Sequence, residues 1–176
     1  MKKKFAIGGG VLAAVLAAVV IFAFTACGAN GSPESVTRTY LEAMMVYDVD
    51  KMCDALYFED EADREKAIDA FKQDIEEELG LSYDIDVKIT KFDFESTPVS
   101  EEELAAAKED MGAIGEKVEA IEKCKIVFSY EITLTLTADG NEVTTTDSAE
   151  DEEAEPVVYK IDGKWYIDIV PADEII

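Results

Sequence analysis

Three thiols and a dense set of carboxylates are the groups in this 176-residue chain with chemistry to offer. Cys27 closes a long apolar run, whereas Cys53 and Cys124 fall inside amphipathic stretches. There is no histidine, which excludes Ser-His-Asp and Cys-His catalysis and His-ligated metal sites. The usual acid–base group that titrates near neutral pH is therefore missing. Asp48, Asp50 and Asp54 lie close enough together to suggest calcium. However, Lys51, Met52 and Cys53 interrupt the alternation of oxygen ligands, and no glycine follows to turn the loop. Helix capping is the simpler role, and no metal or other cofactor is expected. Tyr40, Tyr47, Phe71, Tyr130, Tyr159 and Trp165 are candidates to line a ligand pocket, although a packed core would use the same side chains. Acid–base catalysis by a tyrosine paired with a buried aspartate would need that aspartate on an apolar strand face, and no strand face in the sequence carries one.

Charge narrows the partners. The 40 acidic residues outnumber the 16 basic ones, for a net charge of −24. Nucleic acid, which is bound through clustered Lys and Arg, is excluded as a partner. Electrostatic attachment to an anionic membrane is excluded on the same ground.

The elements that must position these groups follow from periodicity. Ser32-Pro33-Glu34 is a helix start, with a cap, a proline at the first helical position and an acid in the first turn. Val36, Tyr40, Met44 and Tyr47 carry that helix to about Tyr47, where Asp48 breaks it. Val49, Met52, Cys53 and Leu56 make a short second helix. A third runs from Glu61 to Leu79, with Ile68, Phe71, Ile75 and Leu79 on one stripe and Gly80 just beyond. The period then drops to two. Tyr83, Ile85, Val87 and Ile89 form one strand face, and the slip in parity at Phe92 and Phe94 predicts a bulge or a strand that leaves the sheet there. Ser100 and Glu103 form a capping-box pattern. The spacing of Leu104, Ala107, Met111, Ile114, Val118 and Ile121 predicts a helix as far as Glu122. Cys124 to Leu136 is the strongest strand, and Asp139-Gly140 turns it back into Val143–Thr146. The acidic run from Asp147 to Glu155 reads as a solvated, mobile loop, where loose calcium binding is the less favoured alternative. A final hairpin surrounds Asp162-Gly163. A three-residue loop setting Trp165 opposite Tyr159 would keep the large apolar groups on one face, so this register is expected over one that pairs Trp165 with Lys160.

The N-terminal stretch addresses location. Lys2 to Lys4 precede a 20-residue apolar run, Phe5 to Phe24, and the segment ends Thr25-Ala26-Cys27. A basic start, an apolar stretch and a small-residue exit have the form of an export signal. The end of the segment resembles the lipobox of bacterial lipoproteins, with Phe24 where an aliphatic residue is usual. The resemblance implies cleavage before Cys27 and a lipid on its thiol, making residues 1–26 a signal peptide and 27–31 a tether. Two alternatives remain open: an uncleaved anchor, since 20 apolar residues can span a bilayer, and cleavage with release. The first two readings place the domain on the extracellular face of the cell membrane.

From residue 32 to 176 the order of helices followed by long antiparallel strands resembles an NTF2-like (cystatin-like) α+β domain. More narrowly, it is similar to small NTF2-like lipoproteins of Gram-positive bacteria. The resemblance rests on Ser32–Tyr47, on Asp48–Leu56 and on the closing run Val158–Asp168 with its Gly163-Lys164-Trp165. It implies N-terminal helices packed on a curved antiparallel sheet around a concave pocket. A non-enzymatic domain that binds an unidentified protein or small molecule is the expected role, with a hydrolase or isomerase in such a cone, or a structural envelope protein, as alternatives. Exported cysteines invite a disulfide between Cys53 and Cys124, yet both sit on apolar stripes and also fit as small core residues.

Overall fold

The computed structural model describes residues 30–79, 82–138 and 141–170. Expectations for the signal segment, for Cys27 and for the turn at Asp139-Gly140 lie outside the described residues.

Helix α1 (Pro33–Met45) starts as its sequence dictates. Ser32 caps it, and Ser32 and Ser35 bond reciprocally across the first turn. It ends at Met45, because Tyr47 takes a left-handed φ of 55°. Asp48 then caps α2 (Val49–Asp54), its carboxylate accepting from the Lys51 N–H, which accounts for this aspartate without a cation. A two-residue strand, β1 (Leu56–Tyr57), leads to α3 (Glu61–Leu79).

The main sheet has five strands. β2 (Ser82–Pro98) pairs antiparallel along most of β3 (Val118–Ala138). The expected bulge is present between Ile89 and Lys91, and it returns Phe92 and Phe94 to the face of Val87 and Ile89. Along its other edge β3 pairs first with β5 (Val157–Ile161) and then with β4 (Asn141–Ala154). Between them the Cys124 N–H donates to the Pro156 carbonyl, so β4 and β5 form one interrupted return strand. β6 (Lys164–Tyr166) completes the sheet, and β7 (Asp168–Ile169) pairs parallel with β1. The molecule is thus α+β, with N-terminal helices packed on an antiparallel sheet.

Even-numbered β3 residues supply most of the core on the helix face. Ile126 and Phe128 are fully buried against Leu41, Val87 and Ile89. Next to them Val36, Cys124, Val158 and Trp165 form a second cluster, into which Tyr40 and Phe71 pack.

Three expectations are corrected. First, the helix from Ser100 keeps its capping box, with Ser100 and Glu103 bonded in both directions, but α4 spans only Glu101–Asp110. Gly112 adopts φ 58°, and Gly115 fits so closely over the Lys108 carbonyl that a Cβ there would collide with it. A short 3₁₀ turn follows, and Val118 and Ile121 belong to β3. Their spacing mimics a helical stripe because a bulge beyond Val118 offsets the strand parity. Second, the acidic run is largely strand: β4 extends to Ala154, with a break near Asp151, whose φ is 51°. An edge strand leaves charged side chains in water on both faces while its backbone pairs, so acidity did not prevent the ladder. Third, the last hairpin pairs Lys160 with Trp165 and Tyr159 with Tyr166. Asp162 and Gly163 both have positive φ, as in a two-residue type I′ turn. The expected register assumed one buried face, but this hairpin is buried on both. Val158, Trp165 and Ile167 pack toward the helices, while Tyr159, Ile161 and Tyr166 pack on the opposite face with Leu104 and Ile114.

Candidate functional site

An open cleft of about 710 Å³ lies where the chain joins the fold. Asn30 and Gly31 form one rim, the end of α2 and strand β1 the floor, the first turn of α3 a wall, and the Gly163–Lys164 turn with Tyr166 the far side. Asn30 is held from two directions. Its side-chain amide donates to the Asp54 carbonyl at 2.9 Å, and its own carbonyl accepts the Trp165 N–H at 2.9 Å.

Acidic groups are prominent in the lining. Asp54, Glu59, Asp60 and Glu61 face Arg64 and Lys164. Arg64 is already engaged, with one nitrogen 2.6 Å from Asp54 and another 3.3 Å from Glu61. Asp60 is partly committed as well, accepting the Asp63 N–H at the start of α3. The aromatic part of the lining is Tyr57, Phe58 and Tyr166, with the Tyr57 and Tyr166 rings edge-to-face at 5.3 Å. Lys117 donates to the Tyr57 hydroxyl at 3.2 Å. A cleft of this kind offers carboxylates and aromatic faces to a cationic or hydrogen-bonding ligand. Among the described residues no group of three or more carboxylates or thiols is arranged to hold a metal ion.

The sequence-based pocket candidates are placed elsewhere. Tyr40, Phe71 and Trp165 come together, but as packing in the interior cluster with Val36 and Val158. Tyr130 lies farther along the helix face, stacked near Phe128, and Tyr159 is on the opposite side of the sheet. Tyr47 occupies the left-handed turn after α1. Burial pushes the Tyr40 hydroxyl up to about 12, and the nearby Asp168 charge adds to this, so the phenol stays protonated. Asp168 is also felt by Tyr159; its carboxylate accepts the Ile169 N–H, and it does not line the cleft. Cys53 and Cys124 are buried free thiols in separate clusters. Burial raises each to about 11, which removes the thiolate needed for nucleophilic work. The residues that do line the cleft, Cys53 among them, come from the ends of short elements and the connections between them, and Asp54, Glu59 and Glu61 are indistinguishable in sequence from the other surface acids.

Among the described residues no helix is long and apolar enough to cross a membrane. No family model matches the chain, and no curated protein matches it. Among solved structures, the chain is similar to the intermembrane space region of the chloroplast protein ARC6. That match has 13% identity and a TM-score of 0.43, and covers 77% of this chain and 88% of the other.

Proposed function

We propose that this protein is a lipid-anchored domain on the extracellular face of the cell membrane, held through Cys27, that binds a ligand or protein partner and does no chemistry on it. The observation that carries the binding reading is the filled interior. Where an NTF2-like cone would hold a substrate, Tyr40, Phe71 and Trp165 pack among Val36, Cys124 and Val158. Binding is then a matter of surfaces, and the acidic, aromatic cleft is one that is open to a ligand. Cys27 precedes Asn30 by three residues, so a lipid on its thiol would keep the cleft rim within about 10 Å of its attachment point. The cleft would then open near the membrane surface and receive ligands there.

Mass spectrometry of the membrane-extracted protein tests the anchor. An N-terminus at Cys27 bearing acyl chains, and release from the membrane on Cys27→Ala, are expected. An intact chain beginning at Met1 would refute lipidation. For binding, thermal melts with a panel of small organic amines should reveal a stabilising ligand whose effect is lost in Tyr166→Ala. Stabilisation that survives that substitution would move the site elsewhere.

A further inference from the structure

The far half of the sheet runs beyond the helices as a three-stranded ribbon. On the helix side, Ile85 pairs with Leu134, and Leu134 and Leu136 pair across to Thr145 and Val143. Val143 is 64% exposed, the one large hydrophobic so exposed among the described residues. Leu134, Leu136 and Val143 enter none of the apolar clusters that form the core. The ribbon therefore carries an apolar strip with no helix over it among the described residues.

Its edge is open too. β4 pairs only with β3, so the outward backbone groups of a 14-residue strand have no ladder partner among the described residues. That edge is uniformly acidic, with six carboxylates and no Lys or Arg between Asn141 and Ala154. Of these, Asp151 is held by Lys91 at 2.7 Å, whereas Glu142, Asp147, Glu152 and Glu153 make no ion pair among the described residues. Register places Asp147 and Glu152 on the face of Val143, and Glu142 and Glu153 on the other face. Burial raises the Tyr130 hydroxyl, and the charges of Asp147 and Glu152 raise it further, consistent with both carboxylates flanking that face.

We infer that the β4 edge is a docking site for an extended, cationic polypeptide segment of a partner protein, which adds to the sheet as a further strand. Sheet augmentation supplies main-chain hydrogen bonds for affinity, and side chains at alternate positions supply specificity. On the apolar face the incoming strand would set an aliphatic residue against Val143 and Lys or Arg against Asp147 and Glu152. On the other face its basic residues would meet Glu142 and Glu153. A second copy of this chain does not fit, because edge-to-edge pairing would set like charges opposite one another. The outer edge of β2 is less suited, since it mixes Lys88 and Lys91 with acids and closes in Thr97-Pro98.

The test uses the full chain in detergent and a fluorescent peptide of about ten residues, within the usual range of strand lengths, with Val set opposite Val143 and Lys set opposite Glu142, Asp147, Glu152 and Glu153. Anisotropy should show binding that weakens from about 0.05 M to about 0.5 M salt. Hydrogen exchange should slow at residues 142–154 when the peptide is bound. Methylating alternate peptide N–H groups should weaken binding by about tenfold or more, since it removes ladder bonds and leaves the charge unchanged. The variant E142Q/D147N/E152Q/E153Q should weaken it comparably. Equal binding by the methylated peptide would reduce the effect to charge attraction and overturn the proposal, as would no binding at all. Protection confined to Tyr57 and Tyr166 would overturn it and move the peptide to the cleft. Dimerisation abolished by Val143→Asp would assign the strip to a second copy, and vesicle uptake abolished by the same change would assign it to the bilayer. Either result would overturn the proposal.

Discussion

Replacing Glu42 with glutamine should stabilise the protein at alkaline pH and leave it nearly unchanged in acid. Glu42 is half-buried on α1, and its Oε1 finds no hydrogen-bond donor among the described residues. Burial pushes its carboxyl up to about 7 from an ordinary 4.5, and Arg38 and Lys51 only partly offset this. The folded state therefore binds the proton more tightly than the unfolded chain. The resulting stability is fully present below the ordinary value and is lost as pH rises toward and through about 7. At full value such a shift is worth about 3 kcal/mol. Water reaching the exposed part of the side chain reduces it to about 1–2 kcal/mol. Glutamine carries no proton to lose and keeps the shape. Urea unfolding can be followed through Trp165, the single tryptophan, which is 9% exposed. At pH 8 Glu42→Gln should exceed the wild type by about 1–2 kcal/mol, and most of the difference should vanish by pH 5. Burial also raises Asp168, and its contribution, of the same sign, is common to both proteins and cancels in the comparison. A difference between the two proteins that stays constant from pH 5 to pH 8 would refute the reasoning.

Phe128→Ala should cost about 3–5 kcal/mol in urea unfolding, because the ring is fully buried beside Ile126 and Leu41 and its loss leaves a cavity. The two glycines after α4 should behave differently in thermal melts. Gly112→Ala meets open space and loses about 1 kcal/mol to its positive φ, whereas Gly115→Ala drives a methyl into the Lys108 carbonyl and should melt at a lower temperature. Ser100→Ala removes the cap that accepts the Glu103 N–H and should cost about 1 kcal/mol. Its effect should appear first as faster hydrogen exchange in α4.

Local chemistry was readable wherever one residue type forces one conformation. The starts of α1 and α4 follow from Ser32-Pro33 and from Ser100 with Glu103, because a side-chain acceptor at the first turn satisfies a donor that nothing else can. The extent of α3 and the bulge in β2 followed from apolar spacing. The stop of α4 was harder to read. Gly112 and Gly115 are compatible with a weakened helix, and only the approach of Gly115 to Lys108 makes the turn obligatory. The candidate cleft was not legible at all, since it gathers Asn30, Tyr57, Arg64 and Tyr166 from four separate parts of the chain.

By itself the sequence determined the acidity, the absence of histidine chemistry, the order of the longer helices and strands, and the export-like N-terminal pattern. Tertiary structure decided what each apolar face meets. Tyr159 and Trp165 carry similar aromatic signals, yet they pack on opposite sides of one hairpin. Tyr40, Phe71 and Trp165 looked like pocket lining and became packing. Burial is a property of what arrives from elsewhere in the chain: α4 covers one side of the last hairpin and α1 the other, and no periodicity within five residues of β5 could report that both were coming.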